Sequence, residues 1–370
     1  MKYLITGGGT GGHIYPALAI AKEIKDKDKN ADILYVGTKK GLEAELVPKE
    51  GFLFKTIRVN GMPRKLNKES FIAINELLHG INDARKIINE FKPDLVIGTG
   101  GYVCGPVVYV AKKKKIPALI HEQNAFPGIT NKILSRYVDK VAVTFDESKK
   151  YFKYPDRVVN TGNPIRKEIL NIDKEEAYKL LKIDKDIPFV LSFGGSGGQK
   201  KLNDAMYYLI KESNNKSDIQ IIHVTGKRFY DEFIDKLKKE SIVLSNNIRV
   251  LPYMYQIPEA INIATMVVTS AGAITLAEIS AIGVPSILIP KSYTAENHQE
   301  YNARAFEEKG ASILVLEKDL KDDTLYDIVY NIINNKKELE IMKKHSKELG
   351  KINAAEKIYE LVNMLLKEKQ

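Results

Sequence analysis

Twice in this chain a short apolar strand runs into a glycine-rich loop and then a helix. The first copy is Tyr3-Leu4-Ile5-Thr6, followed by Gly7-Gly8-Gly9-Thr10-Gly11-Gly12-His13 and a helix over about residues 14–25, with Pro16 in its first turn. The second is Phe189-Val190-Leu191-Ser192, followed by Gly194-Gly195-Ser196-Gly197-Gly198 and a helix from about residue 202. Glycine in such a loop lets a phosphate or a sugar approach the backbone closely, at a helix start that favours anions. Two strand, loop and helix starts in 370 residues predict an α/β protein of two Rossmann-like domains facing each other across a cleft. Each half is long enough to bury its own core. Gly162-Asn163-Pro164-Ile165-Arg166 reads as the hinge between them.

The formal charge of +10 suggests anionic partners: nucleic acid, an acidic bilayer surface or phosphorylated substrates. Cys104 is the only cysteine, so no internal disulfide is expected, and Met1 leads straight into the first strand, which predicts work in the cytoplasm. No apolar run approaches the roughly 20 residues of a spanning helix, so a membrane contact would be peripheral. The basic residues are interspersed with acids and no aromatic stacking series accompanies them, which argues against nucleic acid. Read as Gly7-x-Gly9-x-x-Gly12, the first loop also spells a dinucleotide fingerprint. The next strand, residues 33–36, ends in Gly37-Thr38 instead of the acid that would hold a ribose, which counts against NAD.

A third loop of the same kind follows a strand at Leu95-Val96-Ile97: Gly98-Thr99-Gly100-Gly101-Tyr102-Val103-Cys104-Gly105-Pro106. Cys104 reads as a small buried residue, with no histidine near it in sequence. Residues 70–91 repeat apolar groups at helical spacing through Phe71, Ile74, Leu78, Ile81 and Ile88, which predicts mostly a core face. Lys112 to Lys115 form a basic run that is either a solvated face or part of a membrane-docking patch. In the second half, residues 267–303 read as a β-α-β unit. Val267-Val268-Thr269 leads into the turn Ser270-Ala271-Gly272 and a helix carrying Ile274, Leu276, Ala277 and Ile279, which Gly283-x-Pro285 ends. Glu278, on the first turns of that helix, could hold a ribose diol or be only a helix-dipole acid on a solvated face.

The pattern Ser270-x-Gly272-Ala273-x-Thr275-x-x-Glu278, with Gly283-x-Pro285 and His298-Gln299-x-x-Asn302-Ala303, resembles the donor-site signature of the MurG family. The seven residues 7–13 followed by Pro16 resemble that family's amino-terminal loop, and Gly194-Gly195-Ser196-x-Gly198 its second loop, with Gln199 standing where a small residue is more usual. The resemblance implies the GT-B glycosyltransferase fold. It also implies transfer of N-acetylglucosamine from UDP-N-acetylglucosamine to undecaprenyl-pyrophosphoryl-muramyl-peptide, at the cytoplasmic side of the cell membrane. It assigns residues 1–163 to an acceptor and membrane-associated domain and 164–345 to the UDP-sugar donor domain. Residues 346–370 would form a helix returning to the first domain. On this resemblance Thr10, Gly11 and Gly12 line the donor sugar, His13 faces the acceptor hydroxyl, and Gly100, Gly101 and Tyr102 meet the acceptor pyrophosphate. Asn124, Arg166, Ser196, Ile257, Ala273, Thr275, Leu276, Glu278 and Gln299 fall on substrate-binding positions, Ile257 through its backbone to the uracil. Read by itself, without the resemblance, His13 fits a capping residue in a tight turn better than a chemical role.

Asp26-Lys27-Asp28 and Asp184-Lys185-Asp186 spell a metal-binding pair but read as surface turns, and no histidines or cysteines have zinc spacing. The expectation is therefore an inverting transfer with no cofactor and no metal. His13 would accept the proton, and Arg166 with the Ser196 loop would bear the departing charge. The alternatives are a UDP-N-acetylglucosamine 2-epimerase of the same fold and a non-catalytic nucleotide-binding module.

Overall fold

Strands that are apolar on both faces must be covered on both sides, and that requirement organises each half of the chain. The computed structural model describes residues 1–61, 68–195 and 197–368. They divide into two units, one of residues 1–165 with 351–370 and the other of residues 166–350. In the first, strands β1 (Lys2–Thr6), β2 (Asp32–Gly37), β3 (Leu53–Thr56), β4 (Leu95–Gly98), β5 (Ala118–Glu122), β6 (Lys140–Val143) and β7 (Val158–Asn160) form one sheet of order β3-β2-β1-β4-β5-β6-β7. In the second, β8 (Phe189–Phe193), β9 (Gln220–Val224), β10 (Ile248–Leu251), β11 (Met266–Thr269), β12 (Ser286–Leu288) and β13 (Ser312–Leu314) form a sheet of order β10-β9-β8-β11-β12-β13. Every pairing is parallel. Both orders are doubly wound, reversing direction at the first strand of each unit, where ligands of such sheets bind.

Alternation along the first sheet splits its core in two. Leu4 and Val96 point into a cluster with Val107, Val108 and Ile88, under helices Lys68–Phe91 and Cys104–Lys113. Tyr3, Ile5, Leu95 and Ile97 point the other way, onto helices Gly11–Lys27 and Ala354–Glu368. The last helix is part of that second core: Ile358, Val362, Leu365 and Leu366 are buried in it, and Glu356 pairs with Lys27 at 2.8 Å. Residues 351–370 thus belong to the unit that the chain left at residue 165. The preceding helix, Lys336–Leu349, lies whole within the second unit.

Three local expectations are corrected. The first helix begins at Gly11, because the extended Thr10 offers its carbonyl to the N–H groups of His13 and Ile14. His13 is therefore in the opening turn and Pro16 in the second. Phe71, Ile74 and Leu78 are not core: they are 77%, 44% and 62% exposed, while Ala84, Ile87 and Ile88 further along carry the packing against the next helix. Lys112 is drawn out of the basic run by Asp139, whose two carboxylate oxygens it meets at 2.8 and 2.7 Å.

Candidate functional site

In the first unit the loops after β1, β4 and β5 converge on His13. Its half-buried ring has Nδ1 2.9 Å from Gln123 Oε1 and 3.1 Å from the Thr99 carbonyl. The carbonyl can only accept, so Nδ1 carries the hydrogen and Nε2 keeps the lone pair. The second glycine loop closes on the ring. A side chain at Gly100 would come within 2.8 Å of Nδ1, and one at Gly101 within 2.2 Å of the Gly8 carbonyl, and both residues have positive φ. Tyr102 lies over Gly9. Gly100 and Gly101 are thus brought to His13, and Thr10, Gly11 and Gly12 sit at the same helix start. Thr10 uses no side-chain cap bond, and its hydroxyl lies on the exposed edge.

Buried groups hold these loops. Glu43, fully buried, accepts from the N–H of Thr38 at 2.9 Å, the Thr38 hydroxyl at 2.7 Å and the Gly9 N–H at 3.2 Å. The Cys104 thiol donates to the Thr6 carbonyl and accepts from the Gly100 N–H at 3.1 Å. Burial pushes that thiol up to about 12, so it is a structural pin and not a nucleophile. Glu122 accepts from the Asn124 backbone, its side chain, Gly128 and Asn131, which orients Asn124 at the mouth of the β5 loop.

The second unit presents a separate set. Arg166 grips Glu278 through Nε at 3.1 Å and Nη2 at 2.8 Å, both to Oε1. Glu278 is 4% exposed, which removes the solvated-face reading; burial raises its carboxyl and Arg166 opposes the rise. Oε2 keeps accepting capacity beside the pair. Ala273 opens the helix Ala273–Ile282, and Thr275 is half-buried on its first turn. The Leu276 side chain is fully buried. Ile257 opens helix Ile257–Ile263 and is half-exposed. Gln299 uses its carbonyl oxygen on the Lys291 N–H at 3.0 Å, which leaves its amide N–H groups for another partner.

Ser196 lies outside the described residues. Around it, Gly195 and Gly198 have positive φ, and Gln199 is buried, donating to the Ile289 carbonyl at 3.1 Å and to Glu317 at 2.9 Å. The long amide thus replaces a small residue by bridging the loop to the β12 end, and the first turn remains packed. Lys291 also reaches this loop. Its Nζ donates to the Gly198 carbonyl at 2.9 Å and would lie 3.9 Å from a side chain placed at Gly195, and burial lowers it from the ordinary lysine range. A cation beside a glycine turn and a helix start favours an anion. Nothing in its sequence neighbourhood signals this, because β12 delivers it across the sheet. Among the described residues no three His, Cys, Asp or Glu side chains converge as a metal-binding group.

Residues 3–143 match the glycosyltransferase family 28 N-terminal domain and residues 189–360 the family's C-terminal domain. The chain is 50% identical over 369 residues to a UDP-N-acetylglucosamine--N-acetylmuramyl-(pentapeptide) pyrophosphoryl-undecaprenol N-acetylglucosamine transferase of Acetivibrio thermocellus, covering 100% of this chain and 99% of that one. It is 52% identical over 365 residues to the protein of that name in Thermoanaerobacter sp. strain X514, covering 99% and 100%. The crystal structure of Acinetobacter baumannii MurG superposes with a TM-score of 0.78 at 26% identity, over 98% of this chain and 100% of that chain. A UDP-GlcNAc 2-epimerase from Neisseria meningitidis, bound to UDP-GlcNAc, superposes with a TM-score of 0.68 at 15% identity over 98% of this chain and 100% of that one, a likeness of fold alone. Two doubly wound α/β units, each matching one half of the same transferase family, and half-identity along the whole length place this chain in the MurG family of GT-B glycosyltransferases.

Proposed function

We propose that this enzyme transfers N-acetylglucosamine from UDP-N-acetylglucosamine to the C4 hydroxyl of undecaprenyl-pyrophosphoryl-N-acetylmuramyl-peptide, with inversion and without a metal. The observation that carries the reading is His13, whose Nδ1–H is committed to the Thr99 carbonyl and Gln123, so that Nε2 is the atom able to accept a proton. In one displacement the O4–C1 bond forms, the bond from C1 to the UDP oxygen breaks, and the hydroxyl proton passes to Nε2. The departing diphosphate gains one negative charge as the bond to C1 breaks, and that charge is met by the backbone of Gly194, Gly195, Gly197 and Gly198, by Lys291 and by Arg166. Glu278 Oε2 holds the ribose hydroxyls, with its other oxygen already on Arg166. Gln299 donates to hydroxyls of the transferred sugar. The first unit binds acceptor and the second binds donor.

The acceptor is a lipid, and the exposed stripe Phe71, Ile74 and Leu78, with Lys114 and Lys115, supports a peripheral contact with the cytoplasmic face of the membrane. No helix among the described residues is long and apolar enough to cross a membrane. Radiolabelled UDP-N-acetylglucosamine incubated with lipid-linked muramyl-peptide and a divalent-metal chelator tests the reaction. The expected product is the disaccharide lipid, at an undiminished rate. Epimerisation of the donor in the absence of acceptor would replace this reading with the isomerase, and strict dependence on magnesium would remove the metal-free step.

A further inference from the structure

We propose that Gln123 and the buried His121 are positioning residues that set which nitrogen of His13 carries the proton, through a one-way chain of hydrogen bonds ending at the Gly162 carbonyl. The inference rests on His13 as the proton acceptor in the proposed transfer. The direction of every bond follows from its far end. The Gly162 carbonyl can only accept, so His121 Nε2, 2.9 Å away, donates to it. A neutral imidazole has one N–H, so His121 Nδ1 is an acceptor and takes the Gln123 amide N–H at 3.0 Å. The same amide nitrogen faces the Thr99 carbonyl at 2.7 Å and the His121 carbonyl at 3.1 Å, two more groups that only accept. Gln123 Oε1 is thereby turned to the opposite side, where it accepts from His13 Nδ1 at 2.9 Å.

A flipped Gln123 amide would set its oxygen against the Thr99 carbonyl, the His121 carbonyl and the lone pair of His121 Nδ1, three acceptor-to-acceptor contacts. It would also point N–H groups at His13 Nδ1. That nitrogen could then engage the amide only as an acceptor, with its proton on Nε2, and the base would be blocked. A second proton on His121 would set its Nδ1–H against the Gln123 N–H and weaken the hold on the amide, although the Thr99 and His121 carbonyls would still ask for its N–H side. His121 is kept from gaining that proton by its surroundings. It is fully buried, and burial first, with the Gly162 carbonyl opposing and any proton taken up by His13 adding, lowers it to about 4 from 6.5. The carboxylate next to it in sequence, Glu122, is turned away onto Asn124, Gly128 and Asn131, and the Cys104 thiol at the neighbouring loop is neutral. Thr99 fixes the helix end of the arrangement as well, its hydroxyl donating to the His13 carbonyl at 2.8 Å. The logic is that of a serine-protease triad, in which the residue behind the histidine holds its tautomer, with a neutral amide in place of the carboxylate.

The test is nitrogen NMR of the imidazoles in the full chain near neutral pH, which reports the protonated nitrogen of each ring directly. The expected pattern is Nδ1–H at His13 and Nε2–H at His121; Nε2–H at His13 in the unaltered protein overturns the proposal without any variant. Gln123→Met keeps the length of the side chain and removes both ends of the amide. Its His13 keeps only the Thr99 carbonyl, at 3.1 Å, on Nδ1, so the Nε2–H form is expected to appear beside the Nδ1–H form, with kcat falling about 10- to 100-fold and both KM values staying within about twofold. A variant that keeps the parental tautomer overturns the relay, whether its kcat falls or not, since any loss would then be structural. If His13→Gln turns over like the parent, the proton-acceptor reading fails on its own, and the tautomer spectra still decide whether Gln123 and His121 orient the ring.

Discussion

The half-exposed Arg166 puts both its hydrogen bonds on one carboxylate oxygen of the buried Glu278, so Glu278 can serve a ligand only through the other oxygen. Glu278→Ala is expected to weaken UDP binding by about 1.5–3 kcal/mol, the worth of hydrogen bonds to a charged group, and to leave the acceptor KM unchanged. Calorimetric titration with UDP measures it, and parental affinity in a folded Glu278→Ala would reduce the pair to a structural tie. Glu278 also shows where reading the sequence stops. Helix Ala273–Ile282 is apolar around its whole circumference, so the sequence offers no polar face on which to put the acid and no sign that Arg166, 112 positions earlier, is its partner. The glycine loops were visible because glycine is conspicuous; Glu43, Gln123 and Lys291 were not, because their roles come from strands that bring distant loops together.

Helix Lys68–Phe91 carries two different apolar faces, and their separation is a matter of what lies beside each half. Its later turns pack Ala84, Ile87 and Ile88 into the core, whereas Phe71, Ile74 and Leu78 have solvent in front of them. Periodicity finds the stripe but cannot say whether protein covers it, which is why the whole helix reads as a core element from sequence. If the stripe docks on lipid, Phe71→Ser with Leu78→Ser abolishes sedimentation with anionic vesicles at low and high salt alike. Neutralising Lys114 and Lys115 costs about 1 kcal/mol each and only at low salt, where screening is weak. Lys112→Ala is expected to change binding little, since that lysine is already held by Asp139. Vesicle binding by the apolar double variant equal to the parent's would move the contact elsewhere on the protein.

Both sheets place an imidazole in the interior, His121 on β5 and His223 on β9, and this links the stability of the whole protein to pH. His223 packs against Phe233 with Nδ1 on the Ser192 hydroxyl at 3.2 Å, and its Nε2 has no hydrogen-bond partner. Burial lowers it from 6.5 to about 3, and lowers His121 to about 4. Both rings are neutral when folded and ordinary when unfolded, so below the unfolded value the unfolded chain binds more protons. Stability therefore falls as the pH falls, by up to about 1.4 kcal/mol per pH unit for each histidine, and the fall ends only below the folded values. His223→Leu removes one of the two terms and leaves an apolar side chain beside Phe233. Across about pH 7 to 5, the denaturation midpoint of this variant should decline less steeply than the parent's, the difference amounting to about one proton at the acid end. Because residues 166–350 form their own unit, the flattening should be confined to the transition of that unit, with the His121 slope retained in the other. Equal slopes in variant and parent would mean that His223 is already protonated in the folded protein, and that its orphaned nitrogen has a partner the packing of β9 does not supply.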